Sequence, residues 1–196
     1  GTMYLRWEPV KNLVIETRNS AEGDFGKGRR YWNPLSDGSP GGSEATLQAS
    51  RMQYVNLTTS NTINYSNVIG GYHSFRVLAG QEATKYSQDY EYVYAPNVDP
   101  DIPYQNTAPQ SGVEASASFT NEAMLSFFGI ADYNYDNRYF VQATIREDGS
   151  SLFGSKNKWG LFWSASASWN ISNEKWMDNT SSWLDLPKIR ASYGPN

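Results

Sequence analysis

The sequence predicts an all-β protein of antiparallel strands, and within that class a transmembrane β-barrel segment: about eight strands of a larger barrel. Three observations carry this. Several segments alternate apolar and polar residues with a period of two, as a wall with lipid on one side and water on the other must. Several also run past the roughly 9 to 11 residues a tilted strand needs to cross a bilayer, where soluble strands commonly span about 5 to 6. Finally, aromatic residues make up 15% of a chain whose mean hydropathy is only -0.63. A wall with aromatic girdles and a wet lumen has that composition, because half of each strand stays polar.

In chain order, the first expected strands are Met3 to Glu8, Leu13 to Asn19, Leu47 to Tyr65, Tyr72 to Ser87 and Ala123 to Tyr135. Next, Tyr139, Val141, Ala143 and Ile145 alternate with Gln142, Thr144 and Arg146. The clearest strand is Leu161 to Ile171, where Trp163, Ala165, Ala167, Trp169 and Ile171 oppose Ser164, Ser166, Ser168 and Asn170. In the last, Ile189, Ala191 and Tyr193 oppose Lys188, Arg190 and Ser192. Arginine in mid-strand implies a hydrated inner face.

The connections alternate too. Glu8 to Asn12, Asn67 to Gly71 and Asp136 to Arg138 read as tight turns; Ser20 to Ala45, Gln88 to Gly112 and Asp148 to Lys158 read as long loops rich in Gly, Ser, Asn, Asp and Pro. Short turns on one rim and long loops on the other are the outer-membrane pattern. The connection from Ser172 to Asp185 departs from it, with Ser172 and Asn173 placed to cap a short helical turn through Trp176. No repeat or linker interrupts the chain, so residues 1–196 read as one continuous sheet within a barrel domain. A closed eight-stranded barrel encloses little beyond packed side chains, which these polar faces do not suit. The sequence stops at Tyr193, Gly194, Pro195 and Asn196, within an apparent strand and its loop, as a cut fragment does. Its first and last strands are therefore expected to present unpaired edges.

Composition narrows the function. A net charge of -4 offers no global basic field for nucleic acid. Without cysteine there is no disulfide framework, thiolate metal site or cysteine nucleophile. No leader-like segment opens the chain, and no apolar run reaches the ~18 residues of a spanning helix.

Candidate sites are few. Asp148, Gly149, Ser150 and Ser151 read as a polar hairpin tip, with Gly149 at positive φ and Asp148 bonding nearby amides; no helix follows, as a phosphate loop requires. His73, the one histidine, sits beside Gly70 and Gly71 as a turn or rim residue, too little for a triad. Asp99 and Asp101 lack the spacing of a calcium loop and read as solvated, so no metal or other cofactor is expected. Tyr86, Tyr90, Tyr92 and Tyr94 read first as a strand continuation at an outer girdle, and second as a surface for a sugar ring or a partner protein. Arg29, Arg30, Tyr31 and Trp32 read as a solvated loop with one anchor, or as a contact to ligand or partner.

From Asp132 onward the motifs become specific. Tyr135, Asp136, Arg138 and Tyr139 form a turn; Arg146, Asp148, Gly149, Ser150, Ser151, Phe153 and Gly154 follow; then come Trp159, Gly160, Phe162, Ser164, Trp169, Ile171, Ser172, Asn173 and Glu174. In this order they resemble the barrel of SusC/RagA-type TonB-dependent transporters. Ile189 to Gly194 resembles that family's next strand, and His73, Phe75, Leu78, Gly80, Gln81 and Glu82 an earlier one. The likeness is good from about Tyr65 onward and diffuse before it. Leu152, Trp163 and Ser168 stand where the family often has arginine, proline and glycine.

The resemblance implies a non-enzymatic wall in the outer membrane of a Gram-negative bacterium. Its partners would be outer-membrane lipid, the remainder of the same barrel, a SusD-like surface lipoprotein and an oligosaccharide or peptide substrate. TonB would act through an N-terminal region and plug that this sequence does not contain. Two other readings remain: a soluble carbohydrate-binding β-sandwich, with short strands and a dry core between two sheets, and an envelope barrel with an adhesive or structural role.

Overall fold

The structure is a computed structural model that describes residues 1–35, 42, 44–154, 158–177 and 187–195, the side chain of Gln105 excepted. Eight strands follow one another in a single sheet: β1 (Thr2–Val10), β2 (Leu13–Trp32), β3 (Thr46–Ile69), β4 (His73–Pro96), β5 (Glu114–Tyr135), β6 (Tyr139–Ser150), β7 (Trp159–Asn170) and β8 (Lys188–Tyr193). Each strand neighbours its predecessor and successor in sequence, so the order is β1-β2-β3-β4-β5-β6-β7-β8. β1 and β8 are its two edges, as expected of a sheet that other strands must complete. A single sheet removes the sandwich reading, which needs a second layer.

All eight expected strands are present, and the differences lie at their ends. β2, β3, β4 and β5 run 20, 24, 24 and 22 residues, far beyond a soluble strand. The expected loops from Ser20 and Gln88 therefore begin only after Trp32 and Pro96. Gly and charged residues signalled a loop there, but a paired ladder satisfies the same backbone groups and overrides that weak preference. The region Asp148 to Ser150 is corrected in the same way. Asp148 pairs with Gly160, and Gly149 with both Leu125 and Trp159, so the hairpin tip starts only after Ser150. Gly149 is not among the positive-φ residues. A Cβ there would stand 2.9 Å from the Trp159 ring, so what Gly149 supplies is room for the indole.

Ser172 and Asn173 are not caps. They lie inside a 3-10 turn, Ile171–Asn173, whose capping residue Asn170 makes no side-chain cap bond, and a second such turn spans Lys175–Met177. The rest of the expected Ser172 to Asp185 connection lies partly outside the described residues. The tight turns are where expected. Gly70 and Gly71 have φ of 61° and 77°, and Asp136 and Asn137 of 50° and 55°. With Tyr72 N–H donating to Ile69 O and Arg138 N–H to Tyr135 O, both have the type I′ form that matches strand twist.

The chain forms two compact units, one of Gly1–Ser20, Thr58–Thr84 and Ala123–Asn196, the other of Ala21–Leu57 and Lys85–Glu122. In the second, Ala45, Leu47, Ala95 and Val98 are buried together, with Tyr31 and Ala108 packed against them. In the first, Met177 is the one buried hydrophobic residue among the described residues, while Ile145, Trp163 and Ile189 are 53%, 44% and 57% exposed. So broad an exposed apolar surface marks an interaction with lipid or protein rather than with water.

Candidate functional site

In the first unit the registers sort side chains onto two faces. One carries Tyr133, Val141 and Ala167, then Ala131, Ala143 and Ala165, then Gly129, Ile145 and Trp163, each set lying abreast on β5, β6 and β7. Aromatic stacks close both ends of this apolar face. Tyr135, Tyr139 and Trp169 stack at the turn end, with centroids 6.2 Å apart in both pairs, and Phe127 stacks on Trp159 at the other. Ten residues of β7 separate Trp159 from Trp169. At ~3.4 Å per residue and the 35–45° tilt usual in such barrels, the stacks stand about 25 Å apart along the membrane normal, the height of an outer-membrane apolar band.

The opposite face is polar and internally bonded. Arg146 Nε donates to Asp148 Oδ1 and Oδ2 at 2.7 and 3.0 Å, and its Nη2 donates to Ser126 Oγ at 2.9 Å. Ser126 is wholly buried. The guanidinium also stands 5.6 Å from the Phe128 ring centroid and 3.9 Å from Glu82. The same Phe128 ring covers Gly80, where any Cβ would meet it. Nearer the turns, Arg76 Nη2 lies 2.6 Å from Asp132 Oδ2, while Gln142 Nε2 donates to Asp132 Oδ1 at 2.7 Å. Thr144 and Ser164 hydroxyls lie 2.6 Å apart. The chemistry supported is that of a hydrated wall: fixed dipoles and paired charges, with no nucleophile set against a base among the described residues.

The remaining motif residues latch the β5–β6 turn. Glu174 is buried; its Oε1 accepts from Tyr139 Oη at 2.6 Å and Trp169 Nε1 at 2.9 Å, and its Oε2 from Arg138 at 3.3 Å. Arg138 also pairs with Asp136 at 2.8 Å. Asn170 and Asn173 side-chain amides both donate to Asn137 O, at 3.1 and 2.8 Å. The hydrogen bond from Tyr139, then that from Trp169 and the charge of Arg138, hold the Glu174 carboxyl below its usual range against the opposing effect of burial. His73, at the start of β4, has Nδ1 2.8 Å from Tyr133 Oη and its ring 5.0 Å from Tyr135. Ser150 and Ser151 hydroxyls accept from Leu152 and Ala123 amides, beside the exposed Phe153 and Gly154. Gly160 lies against the Phe162 ring.

In the second unit the cluster Arg29, Arg30, Tyr31 and Trp32 lies in β2, and strand alternation divides it. Tyr31 packs on the small buried cluster. Arg29, on the same face, donates to Pro103 O and stands 4.9 Å from the Tyr104 ring. Arg30 stands 5.5 Å from Trp32 and lines a groove of about 260 Å³ with Gln48, Ser50, Tyr90 and Tyr92. The structure thus brings Arg30 together with two of the β4 tyrosines; Tyr94, half-buried, lies farther along the same strand. In the loop, Asp99 Oδ1 accepts from Asp101 N–H, a local turn. Sequence reasoning missed the Arg76–Asp132–Gln142 group and Ser126. Their signal was present only as parity along β4, β5 and β6, legible once the strands are in register.

No protein-family model matches the sequence. Curated relatives do: two TonB-dependent receptors of Formosa agariphila are 29% and 30% identical over 99% of this chain, and the TonB-dependent receptor SusC of Bacteroides thetaiotaomicron is 37% identical over 41% of it. The chain spans about a fifth of the two Formosa proteins, 20% and 19%. Among solved structures, that of the RagAB peptide transporter superposes with a TM-score of 0.89 at 20% identity, over 98% of this chain and 22% of that one. The RagAB peptide importer in its open-open state gives 0.88 at 21% identity, over 98% and 21%. The strand order, the two-faced wall, the latched turn motif and these likenesses agree: the chain is a barrel region of a SusC/RagA-type TonB-dependent receptor, a family of outer-membrane proteins and not of enzymes.

Proposed function

We propose that this chain forms wall and mouth of a transporter that brings oligosaccharides or peptides across the outer membrane. A SusD-like lipoprotein covers the mouth, and TonB supplies force through parts of the polypeptide outside this chain. On this reading all of residues 1–196 belong to the barrel domain, and the plug and remaining strands lie elsewhere in the protein. The observation that carries it is the two-faced wall: an apolar face ended by aromatic stacks, backed by a face of serine, glutamine and paired charges. The length of β2 to β5 supports a mouth that extends beyond the bilayer. The groove of Arg30, Tyr90 and Tyr92 offers a cation and flat aromatic faces, suited to a peptide carboxylate or a sugar ring.

The test is uptake of labelled oligosaccharides and oligopeptides by cells that lack the full-length receptor, and by cells complemented with it. Uptake of one class that returns with the wild type and vanishes with a protonophore supports the proposal. Uptake of both classes unchanged by the deletion contradicts it.

A further inference from the structure

A second groove of the unit formed by Ala21–Leu57 and Lys85–Glu122 measures about 310 Å³, with Arg51, Gln53, Asp89, Glu91, Ala117 and Phe119 in its lining. Strand alternation sets it on the other face from the groove of Arg30 and Tyr92. Along β3, Arg51 and Gln53 differ in parity from Gln48 and Ser50; along β4, Asp89 and Glu91 differ from Tyr92. Its polar side is partly pre-set: Arg51 Nη2 donates to Gln53 Oε1 at 3.3 Å, and Gln53 Nε2 donates to Asp89 Oδ2 at 2.8 Å. Among the described residues Glu91 has no ion-pair partner. The apolar side is the Phe119 ring, 75% exposed, beside Ala117.

One arginine and two carboxylates in a single groove do not select a charged ligand. A cation is opposed by Arg51, and an anion by Asp89 and Glu91. Neutral hydroxyls use both, taking hydrogen bonds from the guanidinium and giving them to the carboxylates. An aromatic face next to these groups suits the C–H face of a sugar ring. We propose that this groove binds uncharged sugars of the lipopolysaccharide that surrounds the receptor in the outer leaflet. The inference rests on the reading that the groove of Arg30 and Tyr92 faces the mouth, because the opposite face then looks away from the transport path. The two carboxylates repel the phosphates of the glycolipid, so the contact falls on the neutral sugars of its polysaccharide.

The experiment is calorimetric titration of the full-length receptor, purified from its own outer membrane, with the O-polysaccharide released from that strain's lipopolysaccharide. Saturable binding is expected in the wild type and in Arg30→Ala. It is expected to weaken about tenfold in Phe119→Ala, to weaken also in Glu91→Gln, and to leave cargo uptake unchanged in both. All variants are checked for heat-modifiable migration, and the exposure of Phe119 makes its removal compatible with folding. No saturable binding to the folded wild type overturns the inference, as does an affinity that ignores both substitutions or tightens in Glu91→Gln. Equal, Phe119-dependent binding of neutral glucose oligosaccharides assigns the groove to nutrient sugar and overturns the lipopolysaccharide assignment. Binding lost in Arg30→Ala instead places the sugar in the other groove. Loss of uptake together with binding in Phe119→Ala puts this groove in the transport path and overturns the reading of the faces, whereas binding that fails while uptake persists overturns this inference alone.

Discussion

Arg146 and Ser126 make the sharpest energetic prediction of the polar wall. Arg146→Met removes the guanidinium that donates to Ser126 Oγ at 2.9 Å, in a place where the serine is wholly buried. A buried hydroxyl left without its donor costs about 1–3 kcal/mol. The Arg146–Asp148 pair adds little, because the arginine side chain is 39% exposed and exposed pairs contribute up to about 1 kcal/mol. The expected total is about 2–3 kcal/mol, mostly from the orphaned serine. Ser126→Ala alone leaves Arg146 bonded to Asp148 and costs about 0.5–1.5 kcal/mol, the net value of one hydrogen bond. The double variant should therefore recover about 1 kcal/mol against the sum. The assay is urea unfolding of the full-length receptor in lipid, followed by tryptophan fluorescence across the four-member cycle. Additivity within about 0.3–0.5 kcal/mol would show that the two groups do not act as a unit.

Three further outcomes follow from other residues. Ala143→Arg, on the apolar face, should cost about 2–4 kcal/mol in a bilayer, while Thr144→Arg next to it costs much less; equal costs by lipid-based unfolding contradict the assignment of faces. Asn137→Ala should destabilise the β5–β6 hairpin by about 1–2 kcal/mol, because φ is 55° there, and Asn137→Gly should be tolerated. Because Glu174 has its carboxyl held below the ordinary range, the latch contributes stability that is full above the unfolded-state value and lost as pH falls through the lower, folded one. Hydrogen exchange at the Asp136–Asn137 turn should thus accelerate on acidification in the wild type, and be fast and pH-independent, after correction for intrinsic exchange, in Glu174→Ala.

The wall was legible in the sequence because its physics is local. A period of two survives in any register, so Trp163 to Trp169 and Tyr139 to Ile145 declared their faces without neighbours. What was not legible depended on pairing across strands. Gly149 looked like a turn glycine because glycine serves both at positive φ and beneath a ring, and only the register places the Trp159 indole over it. Ser172 and Asn173 looked like caps, since that is where such residues usually sit; here Asn173 bonds across to Asn137, and only the β5–β6 turn brings that carbonyl within reach. Adjacent Arg29, Arg30, Tyr31 and Trp32 read as one cluster, but a strand turns neighbours to opposite faces. The Arg29 guanidinium therefore reaches Pro103 O and the Tyr104 ring, while that of Arg30 stands over Trp32, although both residues border the groove of Tyr90 and Tyr92.

The most direct test of the account uses spin labels on single cysteines along β7, at Ser164, Ala165, Ser166 and Ala167, in the full-length receptor reconstituted in lipid. Power saturation compares access to oxygen, which concentrates in the bilayer, with access to a water-soluble nickel chelate. The account predicts oxygen access at Ala165 and Ala167 and none of that preference at Ser164 and Ser166. Equal chelate access at all four positions would mean that both faces meet water, and the transmembrane wall would be wrong.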